Sequence, residues 1–173
     1  MKTELNREIL SAGSFRFAIV VSRWNDALTS RLADGAVEAL YESGVDPESI
    51  KIFRVPGSFE LPIACLKAAQ NGSFDAVIAL GIVIRGDTPH FDYVAGQAAS
   101  GIMQASLQTG VPILFGVITA DNIQQAAARS GEKSDNKGYE AALSAVEMVN
   151  LFREMSSCHK QGGSDARVLP NVV

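Results

Sequence analysis

The chain has 173 residues, 47% hydrophobic and 20% charged, with a net charge of −4, which fits one globular domain with a real core. The absence of a basic stripe argues against a nucleic-acid partner, and the longest apolar run, residues 76–84, is too short to span a bilayer. An N-terminus that contains acidic residues and no apolar signal core, and two cysteines in no metal-type spacing, make a reducing cytoplasm the expected location.

In chain order, four β-rich apolar runs stand at residues 15–22, 50–55, 76–84 and 111–119. The third and fourth are almost continuously apolar rather than alternating, as expected of strands buried on both faces of a parallel sheet. After the first run, Leu28, Leu32, Ala36 and Leu40 recur at i+4 as an amphipathic helix. Thr29 or Asp26 suits its start and Gly44 its end. Further helices are predicted over 58–69, with Ser58 as N-cap and Pro62 early in it, and from 90 or 91 to 109. Two more follow, at 122–129 and 139–155. The alternation predicts an α/β fold, a three-layer α/β/α sandwich on a four-stranded parallel sheet with right-handed crossovers. Residues 1–14 read as an N-terminal arm, free to add an edge strand or to pair with another subunit. Residues 156–173 read as a flexible tail.

In open α/β sheets, ligands bind beyond the carboxyl ends of the strands. Each predicted strand is followed there by a segment rich in chemistry: Ser22-Arg23-Trp24-Asn25, Pro56-Gly57-Ser58-Phe59-Glu60, Arg85-Gly86-Asp87-Thr88-Pro89-His90, and Phe115 with the loop past Thr119. Gly86-Asp87-Thr88 lies between strand and helix, where backbone N–H groups and a helix N-terminus suit a phosphate. The plain alternative is a turn with Thr88 as N-cap. The Asp87 carboxylate would repel an anion, so Asp87 is expected to offer backbone only. His90 is able to move protons near neutral pH. Trp24, Phe59 and Phe115 are stacking surfaces or core aromatics. Glu60 is explained equally by the helix dipole. Arg129 and Lys137 are surface charges or anion ligands, arginine being the better fork for phosphate.

Taken together, RWN at 23–25, VPGSFELP at 55–62, GIVIRGDTPHFDYV at 81–94, FGVIT at 115–119 and NKGYEAALSAVEMVNLF at 136–152 resemble the lumazine synthase family across nearly all of residues 10–155. The resemblance implies a flavodoxin-like lumazine synthase domain over residues 1–155. It also implies condensation of 5-amino-6-(ribitylamino)uracil with 3,4-dihydroxy-2-butanone 4-phosphate to 6,7-dimethyl-8-ribityllumazine, without a metal or cofactor. It assigns Trp24 and Asn25 to the pyrimidine side, Ser58, Phe59 and Glu60 to the ribityl chain, and Ile82, Val83 and Ile84 to the pyrimidine through backbone groups. Gly86, Asp87 and Thr88 form the phosphate turn with Arg129 as its cation. His90 transfers protons, Lys137 lies near the substrates, and Phe115 lines the pyrimidine, usually from the neighbouring subunit together with Arg129. Many members carry phenylalanine where Trp24 stands, and the larger ring favours flavin-like ligands. Small residues are common where Asp87 stands. Pentamers are implied, with riboflavin synthase as a pathway partner. The short loop at 130–137 and the lack of proline in residues 1–17 favour a sixty-chain shell. The rival readings are a non-catalytic flavin or lumazine binder and a flavodoxin-like electron carrier. Retention of Thr88, His90 and Arg129 argues against the first, and Arg23-Trp24-Asn25-Asp26 is unlike the phosphate loop needed by the second.

Overall fold

A computed structural model describes residues 11–161, with side chains as far as Ser157. Four strands, β1 (Phe17–Ser22), β2 (Ile50–Val55), β3 (Ala76–Ile84) and β4 (Ile113–Ala120), form one all-parallel sheet in the order β2-β1-β3-β4. The helices are α1 (Asp26–Glu42), α2 (Leu61–Gln70), α3 (His90–Thr109), α4 (Ile123–Ala128) and α5 (Lys137–Gln161). The expected α/β sandwich is therefore present, in the strand order of flavodoxin-like sheets. β3 is buried along nearly its whole length, as its unbroken apolar run predicts, and so is β1. β4, expected to be buried in the same way, is instead an edge strand and leaves Phe115 and Thr119 exposed. One face packs Phe17, Ile19, Ile78 and Leu80 against Leu32 and Leu40 of α1 and Ala142, Ala145 and Val149 of α5. The other packs Ala18, Val20, Val77 and Ala79 against Leu61 and Cys65 of α2 and Ile102 of α3. Burial pushes the Cys65 thiol up to about 12, so it serves as core packing. Among the described residues no helix is long and apolar enough to cross a membrane.

Several boundaries differ from expectation. The N-cap of α1 is Asn25, in the left-handed region at φ 61, so Asp26 is the first helical residue; Thr29 is buried one turn in, its hydroxyl without a partner. Asparagine tolerates that conformation better than most residues. Gly44 does end the helix, at φ 81, with the Val45 N–H donating to Leu40 O at 3.0 Å. Ser58 does not cap α2. Residues Ser58–Glu60 form a 3-10 turn whose start is closed by Glu60, whose Oε2 accepts the Gly57 N–H at 2.8 Å. Thr88 does not cap α3 either, because Pro89 takes that position without a side-chain cap.

At the far end α5 runs to Gln161, so the expected start of the tail at Ser156 lies within a helix. Polar residues carry the helix on, since neither glycine nor proline intervenes before Gly162. Ser156 Oγ donates to Phe152 O at 2.8 Å within this extension. The remainder of the tail, 162–173, and most of the expected arm, 1–10, lie outside the described residues. Of the arm, Ala12 is buried and its N–H donates to Ser43 O at 2.9 Å, joining it to the end of α1.

Candidate active site

The carboxyl rim of the sheet is assembled by strands that stop at different heights. β3 pairs with β1 only as far as Leu80, but with β4 as far as Ile84. Residues 81–84 therefore project past β1 and carry backbone that no strand on that side takes up. Asn25 fills part of the gap, its Nδ2 donating to Ile82 O at 3.3 Å. This junction of β1 and β3 is where strand order reverses, the usual ligand crevice of such sheets.

Around it lie the predicted rim residues. The Arg23 N–H donates to Val55 O at 2.8 Å and the Trp24 N–H to Pro56 O at 3.2 Å, extending the β1–β2 ladder into the loops. Trp24 is 72% exposed and rests on Gly57, where an added Cβ would lie 3.3 Å from its Cδ1. Ser58 is buried beneath. A Cβ on Gly81 would come within 2.6 Å of Ser58 Oγ and 3.3 Å of Ser22 Oγ, so that glycine admits the close approach. Both hydroxyls are buried without a partner. Phe59 stands exposed above them. Gly86, Asp87 and Thr88 are exposed, and their N–H groups meet no protein acceptor among the described residues. His90, exposed, opens α3.

The turn at 86–89 is held by Arg85, which the sequence places in the rim segment without assigning it a role. Its Nη2 bonds Asp92 Oδ1 at 3.2 Å and its Nε Asp121 Oδ1 at 3.3 Å, while the guanidinium lies 4.1 Å over the Phe91 ring. Asp92 first, then Asp121, hold the Arg85 guanidinium above its usual range. The pair brackets the turn between the start of α3 and the end of β4.

Phe115, Arg129 and Lys137 lie elsewhere. They line a cavity of about 480 Å³ along β4, an edge strand, and the start of α5, and none of Trp24, Ser58, Phe59, Glu60 or His90 lines it. Arg129 ends α4, and its guanidinium has no partner among the described residues. Lys137 pairs with Glu140 one turn on. Glu140, Thr119 and Ser144 also line this cavity and were not singled out from the sequence. The i, i+3 spacing of Lys137 and Glu140 was the available signal. One chain thus gathers the predicted residues into two groups, a rim rich in aromatics and open backbone and a cavity carrying cations.

The family model described as 6,7-dimethyl-8-ribityllumazine synthase matches residues 14–153. Proteins named 6,7-dimethyl-8-ribityllumazine synthase are similar over most of the chain. That of Chlorobium luteolum is 55% identical over 146 residues, covering 84% of this chain and 94% of the relative. Those of Chlorobium chlorochromatii and Syntrophus aciditrophicus are each 53% identical over 146 residues, with 84% of this chain covered and 94% and 95% of the respective relatives. The resemblance carried by short strings is thus matched over residues 14–153, and the chain belongs to the 6,7-dimethyl-8-ribityllumazine synthase family.

Proposed function

We propose that the chain is a lumazine synthase, a transferase condensing 5-amino-6-(ribitylamino)uracil with 3,4-dihydroxy-2-butanone 4-phosphate. The products are 6,7-dimethyl-8-ribityllumazine, phosphate and water. The observation that carries the mechanism is the division of the site residues between rim and cavity. The rim offers what a ribitylated pyrimidine needs: Trp24 to stack on the ring, the backbone of Ile82, Val83 and Ile84 to read its edge, and Ser58, Phe59 and Glu60 along the ribityl chain. The 86–88 turn and Arg129 supply N–H groups and a cation for the phosphate. A division of this kind is completed when the cavity of one subunit, with Phe115, Arg129 and Lys137, closes on the rim of the next.

In that closed site the 5-amino group attacks the butanone carbonyl. His90, beside the 86–88 turn, carries protons during imine formation and elimination, a contribution of about 10²–10⁴-fold. Arg129 and the turn stabilise the departing phosphate. Holding both substrates in contact supplies effective molarities on the order of 10⁵ M or more. A pentamer is the natural assembly for rim-to-cavity pairing. Exposed Phe59, Ile63, Tyr93, Met103 and Leu107 support such contacts. The short 130–137 loop favours closure of pentamers into a sixty-chain shell. A cytoplasmic location, with riboflavin synthase as the next enzyme, completes the reading. The test is lumazine formation, followed by absorbance, with and without protein at low substrate concentration. A rate excess with phosphate release is expected. No excess from folded, assembled protein overturns the reading in favour of a binder.

A further inference from the structure

We propose that Asn136 is a positioning residue that sets Arg129 and Lys137 relative to each other and to the sheet; this rests on the reading of the cavity as the phosphate end of the site. Asn136 is 2% exposed and uses the whole hydrogen-bonding capacity of its amide. Its Nδ2 donates to Arg31 O of α1 and to Gly131 O, each at 2.9 Å. Its Oδ1 accepts the Gly138 N–H at 2.9 Å and the Tyr139 N–H at 3.1 Å, at the head of α5. One side chain therefore ties α1, the turn after α4 and the first residues of α5.

The turn it anchors begins and ends on the two cations. The Lys137 N–H donates to Arg129 O at 2.9 Å, and Ser130 bridges Asn136 inside that closure. Two glycines clear the space. A Cβ on Gly35 would lie 2.6 Å from Asn136 Cγ and Nδ2, and one on Gly138 would lie 1.9 Å from Leu32 O. Neither Arg129 nor Lys137 has another anchor of this kind: Arg129 is without a side-chain partner among the described residues, and Lys137 bonds only along its own helix. Their placement is thus delegated to a buried amide that touches no cavity surface. Because small misplacements of binding groups cost reaction rate steeply, loss of the anchor acts first on the substrate that the cations hold.

The experiment compares wild type with Asn136→Ala in the full-length assembled protein. It measures kcat, the KM of each substrate, competitive inhibition by inorganic phosphate, and melting temperature. The expected result is a KM for the butanone phosphate, and an inhibition constant for phosphate, raised about tenfold or more, with the KM for the aminouracil within about twofold. Gly35→Ala, whose new methyl meets Asn136 atoms first, is expected to give the same split more weakly. It is the deciding variant if Asn136→Ala does not assemble. Unchanged phosphate inhibition in a folded variant, or equal loss for both substrates, overturns the proposal. A wild type that forms no lumazine sinks the functional reading itself, a separate outcome read on a separate protein.

Discussion

At the rim, side chains are positioned by where strands end; in the cavity, Arg129 and Lys137 are positioned by a buried hydrogen-bond anchor. Trp24, Ser58 and His90 each follow a strand that the sheet holds rigid, so their places are fixed by ladders shared with neighbours. Arg129 and Lys137 hang on a turn with no strand beneath it, and Asn136 replaces the ladder. The difference teaches that the placement of the rim survives side-chain change as long as the backbone stays. The cavity depends on interior residues that never meet a substrate. It also separates two kinds of variant, those that remove a group and those that move one.

The largest expected effect is at the rim. His90→Ala is expected to lower kcat by about 10²–10⁴-fold without abolishing turnover, because orientation and phosphate binding remain. Complete loss in a folded variant would contradict that division of labour. In the cavity, Arg129→Ala is expected to reduce kcat by about 10²–10³-fold, as for loss of one charge-stabilising donor. Mixing the two variants after dissociation and reassembly sharpens the comparison. If each site takes its rim from one subunit and its cavity from the next, mixed assemblies recover activity that neither variant has alone. No recovery would place both groups in one subunit's own site.

Next comes Gly138→Ala, which moves rather than removes. Its Cβ would sit 1.9 Å from Leu32 O, so α1 and α5 must part, at a cost of about 1–3 kcal/mol in denaturant unfolding. A variant as stable as wild type would show that the α1–α5 contact is looser than the geometry implies. Smaller again is the effect of Trp24, which is exposed and open to a planar ligand. Riboflavin is expected to quench its fluorescence, and the absence of quenching at high concentration would remove the flavin preference.

The smallest effect lies on the outer side of the cavity turn. Lys133 Nζ bonds Glu42 Oε1 at 2.8 Å, and Tyr139 Oη donates to the other oxygen at 2.5 Å. Lys133 first, then Tyr139, hold the Glu42 carboxyl below its usual range, and Glu42 in turn raises Lys133. A depressed carboxylate contributes stability above its unfolded titration that is lost as pH falls through the folded one. A raised lysine loses its contribution as pH rises through its own. The melting gap between wild type and Glu42→Gln is therefore expected to be small at neutral pH, as for exposed pairs, and to close on acidification. A gap that widens in acid would contradict the assignment.

Much of the rim was legible because strand runs announce themselves and each was followed by a cluster of Trp, Ser, Glu or His. Legibility stopped where a role depends on what lies across a gap. Glu60 reads as a helix-dipole residue, yet its carboxylate closes the Gly57 turn. Arg85 reads only as the first residue of the segment after the third strand, yet it reaches Asp92 and Asp121. Asn136 looks like one more loop polar residue, and its partners at Arg31 and Gly131 are distant or unremarkable in sequence.

The sequence by itself determined the alternating α/β fold, the identity of the strands and the family, because apolar periodicity and contiguous strings are local properties. Tertiary structure alone decided that α5 reaches Gln161, that Asn25 rather than Asp26 or Thr29 caps α1, and that the predicted site residues fall into two groups on one chain. The physical reason is that strand order sets which loops meet. β4 lies at the sheet's edge, so Phe115, Arg129 and Lys137 face a cavity that the β1–β3 rim does not share.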